Sequence, residues 1–180
     1  MTLTHRLANR EDLDALRALM EAAIAELQKP FLNEQQVASS RTIMGLDTQL
    51  IEDGTYFVVE NDGELAGCGG WSRRATLYGG DQMKAAEQED PLLDPSTEPA
   101  RIRAFFVHPD CARRGIGTQI LQACLDAARA AGFRRVTLAS TLPGVPFYRA
   151  LGFEEKERLE IPLPDGVRLP IIRMERGCES

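Results

Sequence analysis

The sequence contains few of the residues from which metal sites and disulfide frameworks are built. It has two histidines, His5 and His108, and four cysteines, none of which stands in a CxxC pair. Structural zinc sites need closely spaced cysteine or histidine ligands, and disulfide frameworks are typical of small secreted chains. We therefore expect no metal cofactor, no structural zinc and no disulfides.

Long apolar stretches are also missing from the sequence. No run approaches the roughly 18 residues that are needed to cross a bilayer, and residues 1–6 lack the apolar core of a signal peptide. We expect a chain without membrane contact, located in a reducing compartment such as the cytoplasm. Its 180 residues suit a single domain over positions 1–180.

Basic residues are fewer than acidic residues in this sequence. Asp and Glu total 27 against 21 for Lys and Arg, which gives a formal net charge of −6. Domains that bind nucleic acid through its phosphates are usually basic, so the composition argues against a nucleic-acid partner. A local basic patch can still bind a small anion, because net charge says little about one cleft.

The hydrophobic pattern predicts a mixed α/β fold. Apolar residues recur every three or four positions from Leu13 to Leu27, which predicts an amphipathic helix that Pro30 ends. The turn residues 61–63, between two β-rich runs, predict a hairpin. The predicted order is β-α-α-β-β-β-α-β-α-β-β, with strands near 4–8, 56–60, 65–71, 102–107, 135–139, 153–163 and 167–174, and helices near 10–29, 33–45, 116–131 and 143–151.

Two loops stand out in this pattern. Pro164-Asp165-Gly166 predicts a hairpin between the last two strands. Residues 73–99 have no periodicity and are rich in charge, glycine and proline. An insertion loop of this length in a compact domain is either functional or disordered, and the sequence leaves both open.

The most informative segment is a basic, glycine-containing loop, residues 113–118, between a strand and a helix. The first turn of a helix has amides without an intrahelical acceptor, at the positive end of the helix dipole. Arg113 and Arg114 add positive charge there, which an anion such as a diphosphate would compensate. The alternatives are a glycine-rich turn with two solvated arginines, or a nucleotide-binding loop. The latter lacks the lysine of a P-loop and, at Ile120, the third glycine of a dinucleotide fingerprint.

Two motifs in the right order identify a family. Phe106-Val107-His108-Pro109 precedes Ala112-Arg113-Arg114-Gly115-Ile116-Gly117, and Phe147-Tyr148-Arg149-Ala150-Leu151-Gly152-Phe153 follows about thirty residues later. Together with the element order, these motifs resemble the GNAT superfamily of acyl-CoA-dependent N-acyltransferases. The resemblance implies a GNAT-like α/β (α+β) fold, with a largely antiparallel central sheet flanked by helices, over most of the chain except the insertion loop.

The resemblance also implies a site for acetyl-CoA. The loop residues would hold the pyrophosphate of coenzyme A, and the backbone of Phe106 and Val107 would pair with the pantetheine arm where the fourth and fifth strands splay apart. A backbone amide near Phe106 would polarise the thioester carbonyl, and Tyr148 would donate a proton to the leaving sulfur. The loop residues are Arg113, Arg114, Gly115, Ile116, Gly117 and Thr118.

Three positions depart from the family's pattern. Ala112 stands where Gln or Arg is usual, Thr141 where many members have Asn, and Arg101 where many members carry a glutamate that acts as general base. The base therefore stays open. The alternatives are Glu60, Glu98, His108 or water alone.

Arg101 and Arg103 are two apart on a predicted strand and should share one face with Phe105 and Val107. We hypothesise that they bind a carboxylate or phosphate on the acceptor, with Arg73 and Arg74 nearby. The alternative is solvated charge at a strand end. Three aromatic residues are candidates for an acceptor pocket or, equally, for the core: Trp71, Tyr78 and Phe31. Cys111, without a base beside it, reads as an ordinary small residue.

The resemblance implies an N-acetyltransferase that moves an acetyl group from acetyl-CoA directly to a primary amine, on a small molecule or a peptide amino terminus. The alternative is a non-catalytic coenzyme A binder on the same fold. The sequence leaves the acceptor and the acyl length open. The resemblance also allows a homodimer through the terminal strands.

Overall fold

The computed structural model describes residues 2–27, 29–30, 32–41, 44–81, 90–163 and 166–179. Within them, seven strands form one sheet and five α-helices accompany it. The strands are β1 (Leu3–Leu7), β2 (Tyr56–Asn61), β3 (Glu64–Ser72), β4 (Ala100–Val107), β5 (Arg135–Thr141), β6 (Glu154–Pro162) and β7 (Arg168–Gly177). The helices are α1 (Leu13–Leu27), α2 (Glu34–Ser40), α3 (Thr48–Glu52), α4 (Ile116–Ala130) and α5 (Val145–Ala150).

The predicted order is confirmed, with one addition. Helix α3 lies between the second predicted helix and the first hairpin. Asp47 begins it as an N-cap, because its carboxylate accepts a hydrogen bond from the Gln49 amide at 3.0 Å. A five-residue helix is too short to show a helical period in the sequence, which explains why the pattern did not predict it.

The sheet has the order β1-β2-β3-β4-β5-β7-β6. Every neighbouring pair is antiparallel except β4 and β5, which run parallel and pair only through Ala100 with Val136 and Arg101 with Thr137. Beyond these two pairs the strands diverge, so the implied splay is confirmed. The divergence opens a gap in the middle of the sheet.

Two hydrophobic cores lie on the two faces of the sheet. One contains the buried side of α4, with Ile120 and Leu121, together with Trp71 of β3. The other contains the buried side of α1, with Leu16 and Met20, and also holds several apolar strand residues. Burial on both faces fixes the sheet between the helices and therefore fixes the gap between β4 and β5.

A β-bulge interrupts β4. Ala104 and Phe105 together lie opposite the single residue Gly69 of β3. Ala104 has a φ of 50°, in the left-handed region that non-glycine residues rarely adopt. The extra residue reverses the alternation of side chains for the rest of the strand.

The bulge overturns one prediction about β4. Regular alternation predicted that Arg101 and Arg103 share a face with Phe105. Instead, Phe105 and Val107 pack against the core under α4, whereas the guanidinium of Arg103 meets Asp47 on the other face. The two arginines and the residues after the bulge therefore belong to different faces of the sheet.

The two ends of the insertion loop run against each other. Leu93 donates its amide to the carbonyl of Arg73 at 2.7 Å, and Ala75 donates to Pro91 at 3.0 Å. Residues 82–89 lie outside the described residues, as do Pro164 and Asp165 of the last predicted hairpin. The strands that flank that hairpin, β6 and β7, pair antiparallel. No described helix is both long and apolar enough to cross a bilayer.

Candidate active site

A cleft of about 880 Å³ passes through the gap between β4 and β5. One half is lined by the start of α4 and by α5, and the other half by the end of α1 and residues 77–79 of the insertion loop. Residues 102–107 of β4 run along it between the two halves. The cleft thus joins the predicted anion site to the predicted acceptor side.

Helix α4 begins at the wall of this cleft. Its N-cap, Gly115, has a φ of 81° and open space around the position of a Cβ, and no side chain caps the helix. The Gln119 amide is the one that bonds back to the Gly115 carbonyl, at 3.0 Å. The amides before it belong to the first turn, where the helix itself supplies no acceptor. This end of α4 can therefore accept an anion.

The loop residues that were predicted to bind coenzyme A do not all face the cleft. Five of the six line it: Arg113, Gly115, Ile116, Gly117 and Thr118. Arg114 is exposed outside the lining. The backbone of Arg113 has a φ of 62°, so two left-handed residues, Arg113 and Gly115, shape the turn before the helix.

Gly117 lies close to two aromatic rings. A Cβ at this position would lie 2.9 Å from Cζ of Phe147 and 3.5 Å from Cε1 of Phe105. In the structure, Gly117 lets α4 lie against these two rings, and Gly115 supplies the turn.

Strand β4 presents backbone groups to the gap. The His108 amide, just beyond β4, donates to the Ala66 carbonyl of β3 at 2.8 Å. Successive residues of a strand direct their backbone polar groups to opposite sides. Those of Val107 therefore point to the gap and those of Phe106 to β3. The Phe106 side chain is buried in the core under α1.

Tyr148 stands on α5 in an aromatic cluster at the cleft wall. Its ring lies 5.9 Å from that of Phe105, 5.2 Å from Phe147 and 5.6 Å from Phe153. Its side chain is mostly buried, and burial raises the pKa of the phenol well above its ordinary value. Among the described residues, its hydroxyl has no hydrogen-bond partner. Tyr148 is thus a neutral phenol that lines the cleft and can donate a proton.

The two arginines of β4 are engaged by the chain itself. Arg103 is buried and donates to the carboxylate of Asp47 at 3.1 Å and to the Gly79 carbonyl. Arg101 does not line the cleft; it donates to the carbonyls of Ala75, at 3.2 Å, and Pro99, at 2.9 Å. Burial lowers the pKa of both guanidinium groups. These contacts tie the insertion loop to β4.

The other loop arginines also have partners. Arg73 stacks over the ring of Trp71, 5.1 Å from its centroid, and Arg74 forms a two-pronged ion pair with Asp53 at 2.8 and 2.9 Å. Trp71 itself packs in the core against Phe133 and lies outside the cleft lining. Neither arginine lines the cleft.

None of the three side chains considered as general base lines the cleft. Glu60 pairs with Arg6 at 2.7 Å, Glu98 accepts the Asp94 amide at 3.0 Å, and the ring of His108 accepts the Asp110 amide at 3.1 Å. Each is explained by a local structural contact.

Glu26 of α1 is the one carboxylate among the described residues of the lining. It pairs with Lys29 at 3.0 Å. Sequence reasoning missed it because it considered only the apolar positions of α1. The signal was its spacing, three residues after the apolar Ala23, which also lines the cleft.

The remaining candidate residues differ in whether they line the cleft. Tyr78 lines the acceptor half of the cleft and is 38% exposed, whereas Phe31 lies outside the described residues. Cys111 packs against the core under α4. Ala112 and Thr141, two of the positions that depart from the family's pattern, both line the cleft. The described residues hold no cluster of three or more potential metal ligands.

The model of the acetyltransferase (GNAT) family matches residues 17–153. This chain is a GNAT protein. The match includes β4, the loop, α4 and α5, whereas Ile161 of β6 and Ile171 of β7, which also line the cleft, lie beyond it. The match confirms the resemblance drawn from the two sequence motifs.

Related proteins agree with this GNAT assignment. An uncharacterized N-acetyltransferase of Methanocaldococcus jannaschii is 41% identical over 63 residues, which are 33% of this chain and 28% of that protein. A GCN5-related N-acetyltransferase from Rhodopseudomonas palustris superimposes with a TM-score of 0.71 at 20% identity, over 98% of this chain and 96% of the other. PaiA N-acetyltransferase from Thermoplasma acidophilum, solved with coenzyme A, gives 0.65 at 13% identity, over 98% and 99%. At such identities the structures show a common fold.

Proposed function

We propose that this GNAT protein is an N-acetyltransferase that transfers the acetyl group of acetyl-CoA directly to a primary amine. One observation carries the proposal: the uncapped start of α4 and the phenol of Tyr148 line the same half of one cleft, beside the open edge of β4. The amides proposed to bind an anion, the strand edge and the phenol proposed as proton donor thus border one continuous space.

The chain has suitable groups for coenzyme A. The first-turn amides of α4 and the side chain of Arg113 would hold the pyrophosphate, because backbone N–H groups and the helix dipole favour anions. Arg114, exposed beside them, adds positive charge without lining the cleft. The backbone of Val107 would pair with the pantetheine arm, with Phe106 beside it in the lining. A related fold, PaiA, was solved with coenzyme A.

Each step of the acyl transfer needs one group of the protein. The amine nitrogen forms a bond to the thioester carbon while the carbon–sulfur bond breaks, and a backbone amide of β4 near Phe106 polarises the carbonyl. Tyr148 gives its proton to the departing sulfur. Because burial keeps this phenol neutral, it holds that proton at physiological pH.

The amine must lose a proton, since an alkylammonium has a pKa of about 10. Glu26 is the carboxylate that lines the acceptor half, so the acceptor's proton would leave to Glu26 or to water in the cleft. Arg103 serves this half indirectly in the proposal, because it holds the carbonyl of Gly79 in the loop beside Tyr78. We assign no acceptor contact to Arg101.

A non-catalytic coenzyme A binder is the second candidate. The observation that favours it is Arg101, which stands where many GNAT members carry their glutamate base. A binder would use the same anion site and the same strand edge, and Tyr148 would then be a packing residue.

Thiol release separates the two candidates. Acetyl-CoA is incubated with a panel of amines, and free thiol is followed for the wild type and for Tyr148→Phe, with calorimetry of coenzyme A binding for both. We expect turnover by the wild type and a loss of about 100-fold or more in kcat in the variant, with binding retained. Binding without turnover on any amine would establish the binder, and equal rates would remove Tyr148 as the proton donor.

A further inference from the structure

Tyr56 contacts the bulge of β4 from two strands away. Its side chain is 1% exposed, and its hydroxyl donates to the carbonyl of Ala104 at 2.6 Å. Ala104 is the residue of β4 whose φ, 50°, lies in the strained left-handed region. A buried hydroxyl therefore binds the strained peptide itself.

The neighbouring strand leaves space for this arrangement on both faces. A Cβ on Gly70 would lie 2.7 Å from Cδ1 of Tyr56, and a Cβ on Gly69 would lie 2.6 Å from Cδ2 of Phe105. Two adjacent glycines of β3 thus admit the tyrosine ring on one face of the sheet and the phenylalanine ring on the other. Residues on both faces of the sheet therefore accommodate the bulge, which is not a local irregularity of β4.

The Ala104–Phe105 peptide that Tyr56 binds also faces the cleft. A peptide bond is planar and trans, so the N–H of Phe105 points opposite to the Ala104 carbonyl that Tyr56 binds. Tyr56 stands on β2, and the gap to β5 lies on the other side of β4. The ring of Phe105, aimed by the same bulge, makes an edge contact with Tyr148 at 5.9 Å.

We propose that Tyr56 is a positioning residue for acyl transfer: its hydroxyl holds the Ala104–Phe105 peptide, and through it the Phe105 ring beside Tyr148, in the geometry that the reaction needs. This inference rests on the proposed function. Tyr56 does not line the cleft, so it acts through the bulge and not by contact with substrate.

The test uses the strain at Ala104. Tyr56→Phe removes the hydroxyl and keeps the ring, and we expect kcat for thiol release to fall about 10- to 100-fold, because small displacements of reacting groups have effects of this size. The KM for acetyl-CoA should change less than about twofold, since the α4 site is untouched. Glycine adopts a left-handed φ without strain. Adding Ala104→Gly to Tyr56→Phe should therefore restore kcat at least fivefold, an effect that loss of stability alone would not produce.

Thr137→Val is the matched control. It removes another buried hydroxyl, which donates to the Met174 carbonyl at 2.8 Å away from the bulge, and should lower stability without lowering kcat. The 15N-resolved amide signal of Phe105 should shift in Tyr56→Phe and return in the double variant. A kcat for Tyr56→Phe equal to that of Thr137→Val, or no restoration by Ala104→Gly, would overturn the inference. Absence of turnover in the wild type would instead refute the proposed function.

Discussion

Arg103 and Asp47 form an ion pair in the interior of the protein. Nη2 of the arginine lies 3.1 Å from Oδ2 of the aspartate, and the two side chains are 3% and 2% exposed. The same carboxylate caps α3 through Gln49, and the same guanidinium binds the Gly79 carbonyl. One pair therefore connects β4, α3 and the loop that borders the acceptor half of the cleft.

Removal of the charge of Asp47 should destabilise the fold strongly. Asn can still cap α3, so Asp47→Asn mainly leaves the Arg103 charge buried without its partner. A broken buried pair costs about 3–5 kcal/mol. Urea unfolding should show a loss of about 3 kcal/mol or more.

The matched control for Asp47→Asn lies on the same helix. Glu52 forms an exposed ion pair with Arg10, with side chains 48% and 78% exposed. Glu52→Gln should cost no more than about 1 kcal/mol, because exposed pairs contribute little. Equal losses in the two variants would show that the interior pair contributes no more than a surface one.

The strand, loop and helix around the proposed anion site could be predicted from the sequence because the signal there is local. A strand, two arginines, two glycines and an amphipathic helix follow one another within residues 102–131, and the helix start must then face the end of the strand. The gap between β4 and β5 was implied only by the family resemblance. Composition and periodicity do not show how two strands that are distant in the sequence are placed relative to each other.

The faces of β4 could not be predicted. A period of two assumes a regular strand, and the bulge at Ala104 is specified by groups on other strands, namely Tyr56 and Gly69. The partners of Arg103 are likewise distant in the sequence. Its charge therefore suggested that it binds a ligand, whereas in the structure it binds Asp47. Glu26 was missed for the reverse reason: a charge on an amphipathic helix suggests solvent, whereas the cleft reaches its turn of α1.

Gly115 should be needed for coenzyme A binding more than for stability. Its φ of 81° is strained for any residue with a Cβ, although the space around it is open. Gly115→Ala should destabilise the protein by about 1–2 kcal/mol and weaken coenzyme A binding at least fivefold, because the turn that presents the α4 amides relaxes. Calorimetric titration with coenzyme A measures the second effect.

Gly54 provides the comparison for Gly115. It has a φ of 70°, open space at its Cβ position and a place between α3 and β2, outside the cleft lining. Gly54→Ala should cost a similar free energy of unfolding and leave coenzyme A affinity unchanged. A parallel loss of affinity in both variants would mean that the Gly115 effect is a general result of instability.

The rate should not fall in mild alkali. Tyr148 acts as an acid and must be protonated, and burial raises its pKa above the ordinary value near 10. An acid whose pKa is raised stays protonated to higher pH, so kcat should rise as the amine loses its proton and show no decline up to about pH 10. Thiol release measured from pH 7 to 10 checks this. An alkaline decline in that range, absent in Tyr148→Phe, would contradict it.

Asp12 should make stability dependent on acid pH. Its carboxylate accepts two hydrogen bonds from Arg6, each at 2.8 Å, and one from the Asn9 amide at 2.8 Å. The Arg6 hydrogen bonds, followed by the Asn9 amide, lower the pKa of Asp12 below its usual value. A lowered pKa means that this stabilisation is complete above the unfolded pKa of about 3.9 and is lost as the pH falls through the folded pKa.

Below about pH 4, the free energy of unfolding of the wild type should therefore fall by about 1–2 kcal/mol. Asp12→Asn has already lost this contribution at neutral pH, so the unfolding free energies of the two proteins should converge in acid. Asp14→Asn, a change at a fully exposed carboxylate in the first turn of α1, should follow the wild type at every pH. Urea unfolding at pH 7, 5, 4 and 3 measures all three. A constant difference between the wild type and Asp12→Asn would mean that the Asp12 carboxylate stays charged throughout, or that its contribution is not electrostatic.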